Sequence, residues 1–196
     1  MRTSQMMLWS CLLPAVLLLA ACKPASQAPP AAGPGAKVTP SSPAAPAMPA
    51  VAPAAAGATH PALRVATIDG GTFDLAEQRG KWSVVNFWAT WCGPCIKEMP
   101  ELSALDAMRE HIVVVGLAYE DTTVEGMQAF LKQRPVVYPI ALVDVYDPPK
   151  DFETPRGLPM TYLIAPDGTV AKKYTGPVTA PQIEGDIAAA GGPKVG

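Results

Sequence analysis

Two cysteines separated by two residues, in Trp91-Cys92-Gly93-Pro94-Cys95, constrain this 196-residue chain more than any other feature. A strand-like apolar run at residues 84–88 precedes them. Apolar residues at helical spacing follow them, at Ile96, Met99, Leu102 and Leu105. The pair is therefore predicted at a strand-to-helix junction, where helix amides and the helix dipole lower a thiol pKa below its free value of about 8.5.

The helical position of each cysteine suggests its role. Cys92, at the predicted helix start, is the candidate nucleophile, and Cys95, inside the first turn, is the candidate resolving thiol that attacks a mixed disulfide. Two other interpretations are weaker. A zinc site needs about four ligands, and beyond carboxylates the chain adds only His60 and His111. A structural disulfide across two residues closes too small a loop to stabilise much.

The block from Val84 to Cys95, with Glu98 and Pro100 after it, resembles the thioredoxin superfamily. Within it, the pattern is similar to the membrane-anchored TlpA/ResA type of extracytoplasmic thiol-disulfide oxidoreductase. The resemblance covers about residues 63–190, with Gly157-Leu158-Pro159-Met160-Thr161 as a weaker second motif. It implies protein dithiols and disulfides as substrates, such as apocytochrome c or copper-site cysteines. It also implies a membrane thiol-disulfide protein as electron donor, and no cofactor.

The same resemblance implies a substrate-binding surface. A proline just before a strand cannot donate to the ladder, and the family's matching proline is cis and faces the cysteines, so Pro159 is expected to do the same. That geometry would leave the backbone of Leu158 free to pair with a substrate peptide. Trp91, Gly93 and Pro94 complete this expected surface. An ordinary trans proline at a strand start is the alternative.

Glu98 is the candidate proton acceptor for Cys95. The two residues are three apart, so on a helix they share a face, and burial would raise the pKa of the carboxyl group. The family resemblance implies a functional glutamate here. Ordinary thioredoxins place a buried aspartate on the preceding strand, where this chain has Asn86, which does not titrate. The alternative is a solvated surface glutamate.

The N-terminus has the pattern of an export signal. Residues 6–21 are apolar but interrupted by Pro14, and the run is short for a membrane span of about 20 residues, so residues 1–21 are predicted to be a signal peptide. Leu19-Ala20-Ala21-Cys22 resembles the bacterial lipobox, which makes Cys22 the expected lipidation site. Cleavage without lipidation and an uncleaved anchor are the alternatives.

Cysteine counting agrees with redox chemistry outside the cytoplasm. Of four cysteines, Cys11 would leave with the signal and Cys22 would be lipidated, so only the close pair remains. Residues 22–61 are rich in proline and alanine and predict a disordered tether. Residues 62–191 suit one domain, and residues 192–196 form a tail. The expected location is the bacterial cell envelope, with a lipid anchor and the domain in the periplasm.

The domain is predicted to be an α/β thioredoxin-like fold, with a central mixed sheet, helices on both faces and an N-terminal β-hairpin addition. Strands are expected at residues 63–68, 71–75, 83–88, 112–117, 138–142, 160–165 and 169–174. Helices are expected at residues 94–109, kinked at Pro100, and at 124–133 and 180–190. Residues 144–157 read as a loop that shapes a partner surface or simply connects two strands.

Composition and spacing limit the function classes. The domain has no basic cluster, so nucleic acid binding is unsupported. A membrane-tethered oxidoreductase is the leading hypothesis. The alternative is a copper-binding chaperone module of the same fold, which would want a wider cysteine spacing and a distal histidine that the region after Tyr138 lacks. A peroxidase is weaker still, because the two cysteines are too close to be a peroxidatic thiol and a remote resolver.

Overall fold

The computed structural model describes residues 58–194. The predicted signal peptide, the lipidation site at Cys22 and most of the predicted tether lie outside the described residues, as do the last two residues of the tail. Within the described part of the chain, no helix combines the length and the apolar character needed to span a membrane.

Seven strands, three α-helices and one 3-10 helix follow one another along the described chain. They are β1 (Arg64–Ala66), β2 (Thr72–Asp74), the 3-10 helix (Leu75–Gln78), β3 (Trp82–Trp88), α1 (Gly93–Met108), β4 (Ile112–Tyr119), α2 (Val124–Gln133), β5 (Ile140–Val143), β6 (Met160–Ile164), β7 (Val170–Thr175) and α3 (Ala180–Ala189).

The central sheet has five strands in the order β5-β4-β3-β6-β7. Strands β3, β4 and β5 are parallel, whereas β6 pairs antiparallel with β3 and β7 pairs antiparallel with β6. Strand β3 is therefore the central strand, and all seven of its residues are buried. Strands β1 and β2 form a separate antiparallel hairpin.

The two faces of the sheet are covered by different elements. The β3-α1-β4 and β4-α2-β5 crossovers step in the same direction, so right-handed connections place both helices on one face. Side chains from α1, α2 and α3 pack there with Val84 and Trp88, and this side is called the helix face. The hairpin and the 3-10 helix cover Val85 and Phe87 on the other side, called the hairpin face.

The predicted fold class and the order of strands and helices are confirmed, with differences in detail. The three α-helices share one face, and the 3-10 helix, which was not predicted, lies on the other. Strand β5 begins at Ile140 rather than 138, because Pro139 has no N–H for the ladder; its carbonyl accepts a hydrogen bond from the Gly116 N–H at 2.9 Å. Helix α1 continues through Pro100, and the kink expected there stays a prediction.

The last residues of the predicted tether contact the domain. The Ala58 N–H donates to the Asp151 carbonyl at 3.0 Å, and the Thr59 carbonyl accepts from the Val170 N–H at 2.9 Å. These bonds join residues 58–59 to the long loop before β6 and to the start of β7. The described chain is thus held to the domain several residues before β1 begins.

Candidate active site

The cysteine pair lies where the central strand passes into α1. Strand β3 ends at Trp88, and a short turn leads to Cys92, which is the N-cap of α1. The Cys92 sulfur accepts a hydrogen bond from the Cys95 N–H at 3.3 Å. The two sulfurs are joined in a disulfide bond. The predicted strand-to-helix junction is therefore present, and it places Cys92 against the N-terminal amides of the helix.

The two cysteines differ in exposure. The exposed fraction is 4% for Cys92 and 0% for Cys95. Gly93 and Pro94 are exposed, and Trp91 is 70% exposed beside them. A partner approaching this edge therefore meets Trp91 and the Cys92 side of the disulfide first. Trp88, the other tryptophan near the motif, is fully buried and belongs to the core.

A carboxylate from the neighbouring strand holds the turn before Cys92. The Thr90 N–H donates to Glu120 Oε1 at 2.8 Å, and the Thr90 hydroxyl donates to Oε2 at 2.8 Å. Sequence reasoning did not single out Glu120. The available signal was its place directly after β4, since parallel neighbours β3 and β4 end at the same sheet edge. This two-bond clamp fixes the turn from which Cys92 projects.

Pro159 lies at the same edge of the sheet. Strand β6 runs antiparallel to β3, so its first residues meet the last residues of β3, and Pro159 immediately precedes β6. The Leu158–Pro159 peptide bond is cis, as the family resemblance implied. The Pro159 carbonyl accepts a hydrogen bond from the Gly176 N–H at 2.9 Å. The two predicted motifs are thus brought to one edge.

Glu98 is buried, with an exposed fraction of 4%. Its Oε1 accepts a hydrogen bond from Asn86 Nδ2 at 2.9 Å, and its Oε2 accepts one from the Val178 N–H at 2.9 Å. Asn86 Nδ2 also donates to Thr161 Oγ1 at 2.9 Å. The alternative of a solvated surface glutamate is therefore excluded, and Glu98 is bonded to β3 and to the segment before α3.

Burial raises the pKa of Glu98 from 4.5 to about 7. The hydrogen bonds from Val178 and Asn86 oppose this rise, and the nearby Glu101 carboxylate adds to it. A carboxyl group with this pKa is present in both protonation states near neutral pH, so it can accept and return a proton. It lies on α1 one turn after Cys95, which is also buried.

A groove adjoins both motifs. Its volume is about 400 Å³, and it lies between the turn before Cys92, the end of β4 and the loop before Pro159. Its walls include the aromatic side chains of Trp91 and Tyr119, the charged groups of Asp121 and Arg156, and Leu158. Of the predicted substrate-binding residues, Trp91 and Leu158 line this groove. Its mixed apolar and charged lining suits a peptide segment more than a small apolar ligand.

The described residues give the metal-binding alternative no support. Between residues 58 and 194, no three His, Cys, Asp or Glu side chains come together as a group that can hold a metal ion. The cysteine pair itself is taken up in a disulfide.

Comparisons with known proteins agree with the geometry. The Redoxin family model matches residues 53–189. The chain is 31% identical over 131 residues to the thiol-disulfide oxidoreductase ResA of Bacillus cereus, covering 66% of this chain and 75% of that protein. It is 28% identical to the thioredoxin-like protein YneN of Bacillus subtilis, over 65% of this chain and 76% of that one.

Solved structures show the same fold. A thiol:disulfide interchange protein of the thioredoxin family from Chlorobium tepidum superposes with a TM-score of 0.58 at 24% identity, covering 69% of this chain and 97% of that one. A secreted Mycobacterium tuberculosis disulfide oxidoreductase homologous to E. coli DsbE gives a TM-score of 0.55 at 26% identity, over 65% and 95% of the two chains.

Proposed function

The chain belongs to the redoxin family and is a ResA-type thiol-disulfide oxidoreductase of the thioredoxin superfamily, and from this premise we propose that it reduces disulfides of partner proteins in the cell envelope. Cys92 is the attacking thiol and Cys95 the resolving thiol. The observation that supports this assignment most is the position of Cys92 as the N-cap of α1, while Cys95 is fully buried one turn inside.

The proposed cycle moves two electrons from the cysteine pair to the substrate. The Cys92 thiolate attacks one sulfur of a substrate disulfide, forms a mixed disulfide and releases the other substrate sulfur as a thiolate. The Cys95 thiolate then attacks the Cys92 sulfur, and the second substrate thiolate leaves. The product is the Cys92–Cys95 disulfide found in the structure. A membrane thiol-disulfide protein is the proposed donor that reduces it again.

Glu98 supplies the proton acceptor for the second step. A Cys95 thiol must lose its proton before it attacks, and full burial isolates its sulfur from water. Asn86 on the neighbouring strand does not titrate, whereas Glu98 has a pKa of about 7 and shares the helix. We place the Cys95 proton on Glu98 during resolution.

The substrate surface is proposed to combine two neighbouring features. They are the turn at Leu158–Pro159 before β6, called the Pro159 turn, and the adjoining groove. The N–H and carbonyl of Leu158 form no hydrogen bond with any described residue, so they are available to an extended peptide. Trp91, Gly93 and Pro94 are exposed in the cysteine motif. A substrate segment would therefore pair with Leu158 and place its flanking residues in the groove lined by Trp91. Apocytochrome c and copper-site cysteines are the proposed substrates.

Trapping of mixed disulfides tests the cysteine assignment. The Cys95→Ser variant should accumulate covalent complexes with envelope proteins, because the attack by Cys92 remains and resolution is lost. The Cys92→Ser variant is the matched control and should trap none. Non-reducing electrophoresis with and without dithiothreitol reads out the complexes. Trapping by the Cys92→Ser variant alone would reverse the two roles.

The envelope location is proposed together with a lipid on Cys22. The lipobox-like Leu19-Ala20-Ala21-Cys22, the proline- and alanine-rich segment after it, and the secreted relative from Mycobacterium tuberculosis support this part. Growth with labelled palmitate should label the wild-type chain and not Cys22→Ser, and fractionation should move that variant out of the membrane pellet. Equal absence of label from both chains would contradict the anchor.

A further inference from the structure

The segment between β7 and α3 connects the buried carboxylate to the Pro159 turn. Within three residues, the Gly176 N–H donates to the Pro159 carbonyl and the Val178 N–H donates to Glu98 Oε2, each at 2.9 Å. Val178 is almost fully buried, with an exposed fraction of 1%. A change in the Glu98–Val178 bond therefore acts two residues away from the bond that holds Pro159.

A second connection runs through the sheet. Asn86 Nδ2 bonds both Glu98 Oε1 and Thr161 Oγ1, and Thr161 is two residues beyond Pro159 on β6. Asn86 Oδ1 is buried without a hydrogen-bond partner among the described residues. The Asn86 side chain therefore acts here only as a donor, through Nδ2. Glu98 is thus connected to the Pro159 turn by two routes, one through Thr161 on β6 and one through residues 176–178.

Both hydrogen bonds that connect Glu98 to the Pro159 turn are stronger when its carboxyl group is ionised. Each carboxylate oxygen accepts an N–H, and an ionised carboxylate is the stronger acceptor, by roughly a factor of two over a neutral group. A proton on Oε1 or Oε2 would meet an N–H donor and weaken that bond. We propose that the Glu98 carboxylate positions the Pro159 turn, so that peptide binding at this turn is coupled to the charge on Glu98.

The coupling deepens the proposed function and rests on its assignment of Pro159 to the peptide surface. It has a defined sign. A charged Glu98 holds residues 176–178 and Asn86 in place, so a peptide binds more tightly when Glu98 is ionised. By linkage, bound peptide must lower the pKa of Glu98 by the same free energy. Glu98 is then a positioning residue for substrate as well as the proposed proton acceptor.

Other titratable groups face Glu98 from its own helix and from the elements packed on it. Glu101 lies one turn later on α1 and raises the pKa of Glu98. Tyr138 lies before β5. Burial raises its pKa well above the neutral range, and the negative charges of Glu98 and Asp106 raise it further. Cys95 lies one turn before Glu98 on α1, and in the disulfide state it does not titrate. In the oxidised protein, a midpoint near pH 7 at the Gly176 and Val178 amides is therefore assigned to Glu98.

The test uses the oxidised full-length protein and a neutral peptide, acetyl-Ala-Val-S-methylcysteine-Val-Ala-amide, which cannot exchange disulfides. NMR titrations give its dissociation constant between pH 5.5 and 8.5 and the chemical shifts of the Gly176 and Val178 amides. We expect binding to tighten by about fivefold or more as pH rises through 7. Both amide shifts should follow the same midpoint, and peptide should move that midpoint to lower pH.

Glu98→Gln and Glu101→Gln form a matched pair for this test. Glu101 also accepts a backbone N–H, that of Ala180 at the start of α3 at 2.8 Å, but among the described residues it has no bond leading to Pro159. The pH dependence should vanish in Glu98→Gln and persist in Glu101→Gln. If Glu98→Gln does not fold, the wild type alone provides the test. The titration midpoint of the Glu98 carboxyl carbon is then compared with and without peptide.

Three results would overturn the coupling: a dissociation constant that does not change with pH, an unchanged Glu98 midpoint on adding peptide, or no peptide binding at all. None of them bears on the exchange chemistry. Mixed-disulfide trapping by Cys95→Ser would still support the proposed function in each case, and absence of trapping would count against that function alone.

Discussion

The two faces of the central sheet are both buried, yet they differ in what they bury. On the hairpin face, Phe87 packs against Phe152 and Tyr162, with ring centroids 5.8 and 6.3 Å away. On the helix face, the adjacent Asn86 bonds to Glu98, the one carboxylate that is buried between residues 58 and 194. The strand alternates its side chains, so two neighbouring residues of β3 serve two different environments.

This difference assigns fold stability mainly to the hairpin face and the reaction chemistry to the helix face. Apolar packing on the hairpin face stabilises the fold without burying a carboxylate. The helix face holds a carboxylate whose burial is costly, and two N–H bonds only partly offset that cost, since its pKa stays at about 7. We therefore expect mutations on the hairpin face to change stability alone. Mutations around Glu98 should change the pH dependence of the reaction.

The largest expected effect is on stability, from Phe87→Ala on the hairpin face. Removing a fully buried phenylalanine typically costs about 3–5 kcal/mol, through lost transfer free energy and the cavity that remains. Urea unfolding should show this loss. The disulfide exchange rate per folded molecule should keep its pH profile, and a shifted profile would break the proposed separation of the two faces.

The second effect is a pH dependence of stability that originates at Glu98. Its folded-state pKa of about 7 lies above the ordinary value of 4.5, so between these values the folded protein binds more protons than the unfolded chain, and stability falls as pH rises. Relative to Glu98→Gln, the oxidised wild type should lose up to about 3 kcal/mol across this window. Below pH 4.5 and above pH 7 the difference should be flat.

Urea midpoints measured every half pH unit give this curve for both chains. Glu101→Gln is the control, because the same substitution one turn later leaves Glu98 in place. A wild-type curve parallel to that of Glu98→Gln would show that folding does not raise the pKa of Glu98.

The smallest expected effect is a shift of the Glu98 midpoint, which should differ between substitutions at two neighbouring residues of β6. Thr161→Val removes the acceptor that orients Asn86, at a cost of about 1 kcal/mol. Because the Asn86 bond lowers the pKa of Glu98, a less well-oriented Asn86 should let the midpoint rise. Tyr162→Phe, on the hairpin face, removes the hydroxyl that accepts the Glu153 N–H and should cost a similar amount with no change in the midpoint.

Carbon-13 NMR of the Glu98 carboxyl group measures this midpoint in both variants. Equal shifts in Thr161→Val and Tyr162→Phe would show that the two faces are not electrostatically separate. A downward shift in Thr161→Val would contradict the orientation assigned to Asn86.

Sequence patterns predicted the parts of this molecule that local spacing determines. The cysteines and Glu98 lie within one helix, so residue spacing alone placed them together, and α2 has the predicted bounds. The observed end of every described strand lies within two residues of the predicted end. The 3-10 helix was missed because four residues have too little periodicity to detect.

The contacts that complete the site are long-range, and spacing does not reveal them. Glu98 meets the Val178 N–H across 80 positions, Asn86 meets Thr161 across 75, and Glu120 meets Thr90 across 30. These pairs depend on strand order and register, which follow from packing the whole chain. The sequence could therefore identify Glu98 as a candidate but not the residues that hold it.

The second half of the proposed cycle depends on the proton that Cys95 must lose during resolution. Rapid quenching after mixing reduced protein with a disulfide-bonded peptide measures how fast the mixed disulfide at Cys92 resolves, between pH 5 and 9. The wild-type resolution rate should rise with pH through the neutral region, because Glu98 loses its proton there and can then accept the proton of Cys95. Glu98→Gln should resolve about 100-fold more slowly near pH 7 and should lack the rise in rate through the neutral region, while the rate of Cys92 attack at saturating peptide stays unchanged. Equal resolution rates and equal pH profiles in the two proteins would show that Glu98 does not accept the Cys95 proton.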